Sequence, residues 1–256
     1  MDNYEIFKSL HHQEKPLLLG NAWDIQSAKI LQKTGYPAVL TSSAALARSA
    51  GYEDGEKIPF NELLSTVEKM VAALSVPLSV DFEKGYSRDI YKIIDNISAL
   101  ADAGVAGVNF EDSVYTPSGR ELGSAEEFSR KISTIKNHLE KSKRKIFINA
   151  RTDGFILKLD RCLDISIQRA KSYSDAGADG IFVPFVKNEE DIRAIVSAIR
   201  LPLNVLSMAE LPDYERLSSL GVRRISMGSA IFTNTYAYFE KLADRINSEK
   251  SIALLF

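Results

Sequence analysis

One cysteine and three histidines in 256 residues leave little scope for disulfide or soft-metal chemistry. Cys162 has no partner within the chain and cannot build a thiolate cage, and it falls in a segment, 160–176, with helical periodicity, where packing is its natural role. His11 and His12 precede the first strand and His138 lies on an outer helix; they read as surface residues, and none is placed as a general base. No apolar run approaches the roughly 20 residues of a membrane span. The opening MDNYEIFKSLHHQEKP also lacks the basic start and apolar stretch of a secretory leader, so a cytoplasmic protein is expected. A surplus of charge is missing too. The 32 basic and 34 acidic residues give a net charge of -2, which removes the electrostatic case for nucleic acid or an anionic membrane as partner. Small molecules and copies of the chain itself remain.

What is present is a repeat of short apolar, β-branched runs alternating with longer helical segments. Eight strands are expected, at 17–21, 38–42, 77–82, 107–112, 145–151, 180–185, 202–207 and 223–228. Helices are expected near 24–34, 60–73, 88–103, 124–141, 160–176, 188–199, 212–220 and 229–247. Several helices end in a glycine that leads straight into the next strand, as in LQKTGYPAV, LADAGVAGV, SDAGADGIF and LSSLGVRRI, because glycine takes the left-handed conformation at a helix stop at little cost. Eight such βα units close most naturally into a single (β/α)8 TIM-type barrel, with a doubly wound open sheet as the alternative. No linker or low-complexity tract divides the chain, so one domain over 1–256 is expected.

In a barrel of this kind chemistry collects where strands end. The polar residues there are Asn21 and Asp24, Ser42 and Ser43, Asp81 and Glu83, Glu111 and Asp112, Asn149, Arg151 and Asp153, and Asn204. Asp24 suits a helix cap, Asp112 and Asp153 suit loop positioning, and Asn204 suits either buried backbone or a substrate. In SVDFEKGYS, Asp81 and Glu83 stand two apart at a strand end, which places them on one side. With Glu111 they outnumber the one nearby arginine, Arg151. Surplus carboxylate in a low-dielectric place favours a hard cation, Mg2+ or else Mn2+, over Zn2+. Lys84, Lys158 and Lys187 lie in loops or at helix starts, which argues against a Schiff-base enzyme. SMGSA, 226–230, is a weak signal for a phosphate-holding loop.

The blocks GNAWDIQSAKILQKTGYPAVLTSSAALA, GYEDG, PLSVDFEKGYS, AGVNFEDS, INARTD and AGADGIFV closely resemble, in order and spacing, the isocitrate lyase and phosphoenolpyruvate mutase superfamily over about 16–230. The resemblance implies a barrel that binds Mg2+ and a 2-oxo acid or its enolate at its C-terminal mouth. Asp81, Glu83 and Glu111 fall on the acids around the metal, some acting through water, and Asp54 falls on a further acid beside it. Ser42, Ser43 and Ala44 match a turn whose amides hold a substrate carboxylate, and Arg151 matches an arginine that contacts substrate. The superfamily's tetramers, with an exchanged last helix, imply a homo-oligomer, dimer or tetramer, in which 229–247 takes part; SIALLF at the C-terminus would dock on a partner.

The chain departs from the carbon-carbon lyases after the fourth strand. Where they carry a Cys-containing gating motif, it reads EDSVYTPSGRELGS, without cysteine, lysine or histidine, and the lysine and asparagine of the phosphonate mutases are absent as well. A lid over 113–123 offers Tyr115, Arg120 and Glu121 as proton donors. The expectation is therefore a Mg2+-dependent lyase acting on a small 2-oxo or 2-hydroxy dicarboxylic acid through an enolate, with Arg151 and Asp54 catalytic and Ser42, Ser43, Ala44, Arg151 and Asn204 holding substrate. Alternatives are a non-catalytic 2-oxo acid binding protein and a carbon-phosphorus mutase or hydrolase acting on phosphonopyruvate.

Overall fold

The computed structural model describes residues 2–256. Its ten strands are β1 (Leu17–Ala22), β2 (Val39–Thr41), β3 (Leu78–Asp81), β4 (Gly107–Glu111), β5 (Ser113–Thr116), β6 (Gly119–Leu122), β7 (Phe147–Arg151), β8 (Gly180–Phe182), β9 (Leu203–Leu206) and β10 (Arg224–Ser226). Eight of them form a closed parallel barrel in the order β1-β10-β9-β8-β7-β4-β3-β2, while β5 and β6 pair as an antiparallel hairpin beyond the end of β4. The helices are α1 (Asn3–Leu10), α2 (Ile25–Lys33), α3 (Ser43–Ser49), α4 (Phe60–Ala73), α5 (Ile90–Asp102), α6 (Ala125–Lys141), α7 (Cys162–Asp175), α8 (Glu189–Ala198), α9 (Tyr214–Ser219) and α10 (Ala230–Glu249). All eight expected strands and eight expected helices are found. Not expected were α1, α3, the hairpin and a short 3-10 helix at Ile252–Leu255.

Strand alternation divides the side chains into two sets. Leu78, Val80, Val108, Phe110, Ile148, Ala150, Ile181, Leu203, Val205 and Ile225 join the apolar layer between barrel and helices. The interior set is polar for most of its height. The barrel floor is apolar: Phe7 from α1 packs with Leu17, Leu19, Leu40 and Phe147. Gly107 makes room for it, since a Cβ there would lie 2.6 Å from the Phe7 ring. Sealing a phenylalanine in this way contributes about 1.5–3 kcal/mol.

His11 corrects the expectation of a surface histidine. It caps α1, its Nδ1 lies 2.8 Å from the Phe7 carbonyl, and its ring stacks on Phe147 at 4.3 Å. Burial, with Arg224 nearby, pushes its pKa down to about 3, so it is neutral at physiological pH. The sequence signal was available: Phe7 and His11 are four apart and share one face of a helix.

Above the floor, Arg224 is wholly buried. Its Nη2 donates to Asn109 Oδ1 at 2.9 Å, and Asn149 Nδ2 donates to the same oxygen at 2.9 Å. Burial pulls Arg224 down to about 9, only partly offset by Asp81. Asn204 sits in this layer. Its Oδ1 accepts from Ser226 Oγ at 3.4 Å, and it is 1% exposed.

Candidate active site

The mouth of the barrel holds a cavity of about 130 Å3 lined by Asn21, Ser42, Ser43, Ala44, Asp54, Asp81, Glu83, Asn109, Glu111, Arg120 and Arg151, among others. Every expected site residue except Asn204 lines it. Asn204 is enclosed below, beside Arg224 in the strand register, and is not among the residues reaching the cavity.

Asp81 ends β3. Its Oδ2 accepts from Ser43 Oγ at 2.8 Å and from the Ser43 amide at 3.3 Å, while its Oδ1 is buried with no hydrogen-bond partner. Burial raises its pKa, with Glu111 adding to the rise and Arg151 and Ser43 opposing it. Glu83 reaches the same cavity by a different route from the one the alternation rule suggests. The strand has ended at Asp81, and Glu83 takes a left-handed backbone, φ 48°. Glu56, itself left-handed at φ 64°, holds it there. The Glu56 amide donates to Glu83 Oε1 at 3.0 Å, and Glu56 Oε1 accepts from the amides of Lys84 at 2.9 Å and Tyr86 at 2.7 Å. Gly85, φ 100°, completes the turn. Burial, then the charges of Asp81, Glu111 and Asp54, push Glu83 up to about 8.

Glu111 and Arg151 are register partners on β4 and β7, and Arg151 Nη1 lies 3.2 Å from Glu111 Oε2. Arg151 Nε also donates to Asp153 Oδ1 at 2.7 Å. Arg120 arrives from the hairpin, where Nη2 sits 2.6 Å from both Glu111 Oε1 and Asp153 Oδ2. Burial works against the charge on Glu111, but Arg151 and Arg120 outweigh it and hold the carboxyl below its ordinary value. Burial likewise works against Arg151, and Glu111, Asp153 and Asp81 more than compensate, so it stays cationic. Tyr115, opposite Arg120 in the hairpin, has Lys84 Nζ 4.6 Å from its ring centroid.

Other polar residues at the strand ends have partners within the fold. Asp24 caps α2 in a reciprocal box with Ser27. Asp112 is buried against Tyr173, 2.5 Å, and Arg169, 2.8 Å, and anchors the base of the hairpin. Ser42 caps α3, and its amide donates to the Ala22 carbonyl at 3.0 Å. With the Ser43 amide turned toward Asp81, Ala44 supplies the N–H of this turn for which the structure shows no protein acceptor. Cys162, His12 and His138 lie away from the cavity. Glu56 and Asp153 are the contributors that sequence reasoning missed or undervalued; GYEDGEK carried a second acid just past Asp54, but its reach depends on where the loop folds.

Among the described residues no three His, Cys, Asp or Glu side chains are drawn together tightly enough to enclose a metal ion directly. Glu111 is held by two arginines and Glu83 Oε1 by an amide, and Asp81 Oδ1 is the buried carboxylate oxygen without a hydrogen-bond partner. That set suits Mg2+, which dehydrates reluctantly and takes one or two carboxylates with water filling the rest. It does not suit Zn2+, which would ask for nitrogen or sulfur.

A parallel eight-stranded barrel with carboxylates and arginine converging on its C-terminal mouth defines an enzyme-type site. The chain matches the family model described as phosphoenolpyruvate phosphomutase over residues 7–247, and it belongs to that family, within the isocitrate lyase and phosphoenolpyruvate mutase superfamily. An uncharacterized protein of Mycobacterium tuberculosis is 34% identical over 89% of this chain and 83% of its own length. An oxaloacetate decarboxylase of Rhodopseudomonas palustris is 30% identical over 87% of this chain and 78% of its own. A crystal structure from Burkholderia cenocepacia J2315, provisionally named a phosphonomutase, superposes with a TM-score of 0.89 at 36% identity, covering 94% of this chain and 99% of that one. No described helix is long and apolar enough to cross a membrane.

Proposed function

We propose that the protein is a Mg2+-dependent lyase, with Mn2+ as a substitute ion, that breaks a carbon-carbon bond in a small 2-oxo or 2-hydroxy dicarboxylic acid by way of an enolate. The observation that carries this is Asp81 Oδ1, bare and buried beside Glu83, Glu111 and Arg151. Asp81 would hold the ion directly, with Glu83 and Glu111 acting through water and Asp54 at the rim. Bound there, the ion supplies a Lewis acid that polarises a keto oxygen and steadies the charge developing on it. Arg151, fixed by Glu111 and Asp153 and laid 5.6 Å over the Phe182 ring, offers a second positive group to the substrate carboxylate or the enolate oxygen. Ser42, Ser43 and Ala44 form the opposite wall. In a decarboxylation, the bond to the distal carboxyl carbon breaks, carbon dioxide leaves, the electron pair passes to the keto oxygen, and water returns a proton to carbon. No cysteine or histidine lines the cavity to do so, and this reaction needs none.

Pyruvate release from a panel of oxaloacetate and alkylmalates, with and without EDTA, tests the reading. Turnover on at least one member that EDTA abolishes is expected; no metal-dependent turnover on any would overturn it. The resemblance to the Burkholderia structure favours carbon-phosphorus chemistry as the second reading, and consumption of phosphonopyruvate in the same assay would select it. Micromolar binding of a 2-oxo acid that is recovered unchanged would instead identify a binding protein.

The assembly is proposed to be a homo-oligomer working in the cytoplasm. Tyr238 and Phe239 on α10 are 70% and 63% exposed, and Ile252 and Phe256 are bare as well. Burying such a face on a second copy is the economical arrangement. Light scattering should return at least twice the 28.4 kDa of one chain, and a mass of one chain would refute the assignment.

A further inference from the structure

We propose that Arg120 recognises the second carboxylate of the substrate and thereby restricts the site to diacids. The inference rests on the reading of the cavity as a 2-oxo acid site and names the substrate class that site selects.

Arg120 belongs to neither a barrel strand nor a barrel helix. It is carried by β6 of the hairpin, which folds back over the mouth after β4. Its Nη2 is 2.6 Å from Glu111 on one side and 2.6 Å from Asp153 on the other, so the head group is fixed against two strand ends. Its Nε–H is buried with no acceptor. A buried donor left unpaired is costly, and a guanidinium donates through five N–H groups in a rigid fork that matches carboxylate. Arg120 and Arg151 both line the cavity of about 130 Å3. A 2-oxo monoacid has one carboxylate, which Arg151 and the Ser43–Ala44 turn can meet. The Nε–H of Arg120 then has no acceptor unless the ligand brings another anionic group. A carboxylate on Nε need not displace Glu111 or Asp153, because both occupy Nη2.

Calorimetric titration in the presence of Mg2+ compares pyruvate with the diacid 3,3-difluoro-oxaloacetate on the wild type, Arg120→Gln and Arg120→Lys. The wild type should prefer the diacid by at least about tenfold. Arg120→Gln should weaken the diacid roughly 10- to 100-fold, the loss of one charge-assisted contact, and leave pyruvate within about threefold. Arg120→Lys should retain part of the preference. Retained pyruvate binding shows that a variant is folded, and the lysine variant serves if the glutamine variant is not. Equal weakening of both ligands in both variants, as expected of a mere hairpin latch, would overturn the proposal, as would an undiminished preference in Arg120→Gln. A wild type that binds both ligands equally overturns it while sparing the 2-oxo acid reading. A wild type that binds neither overturns both.

Discussion

Asp81→Asn should lower metal-dependent turnover by at least about 10^3-fold and weaken Mg2+ binding measured by calorimetry by at least about tenfold. The substitution is nearly isosteric, and the amide oxygen can still accept from Ser43, so the turn after β2 should keep its place. What disappears is the negative charge beside a buried oxygen that has no protein partner. Loss of a single preorganised electrostatic group commonly costs about 10^2 to 10^3 in rate, and loss of the ion removes the Lewis acid as well. Without metal, the same variant should melt no lower than the wild type, because a buried carboxylate among like charges is a liability to the fold. A variant that keeps full EDTA-sensitive turnover would remove the basis of the proposed mechanism.

The second expectation concerns pH. Glu83 has a folded pKa raised to about 8 from 4.5. Between these values the folded chain holds a proton that the unfolded chain has lost, so unfolding free energy falls as pH rises. His11 acts in the opposite sense, since its folded pKa is lowered to about 3 from 6.5, and its penalty is relieved as pH climbs to 6.5. Above pH 6.5 only the carboxyl contribution remains. At about 1.4 kcal/mol per unit, the window from 6.5 to 8 should remove about 2 kcal/mol, or roughly 4–8 °C of melting temperature for a chain of this size. Asp81, raised for the same reason, can only steepen the slope. Mg2+ should restore the loss, with a larger increment at pH 8 than at 6.5, and Glu83→Gln should flatten the profile in EDTA. A wild-type melting temperature in EDTA that is level across this window would contradict the electrostatic account of the mouth.

Most of the barrel was legible because its strands and helices carry opposite periodicities and its helix stops carry glycine. The missed elements have physical reasons. Helix α3, SAALARS, follows at once on Ser42 and shows no amphipathic stripe, so a serine pair reads as a turn. The hairpin has the alternation of a two-stranded ribbon around Pro117, Ser118 and Gly119, but its sides are short and half exposed, so the segment reads as a loop. Asp81, Glu111 and Arg151 were readable as strand ends. Glu83 was placed correctly for an incomplete reason, since Glu56 and not pleat parity turns it inward. The double bridge made by Arg120 was out of reach, because it depends on how far a hairpin folds back, and nothing in local spacing encodes that distance.

The amide and guanidinium knot of Asn109, Asn149 and Arg224 has a consequence for how this chain can change over time. Exchanging Asn109 for an apolar side chain strands the Arg224 and Asn149 donors that share its Oδ1, whereas an exchange of all three can be accommodated. Asn109 should therefore change only together with its two donors, and a library that varies it singly will find losses where a combined library finds folded barrels.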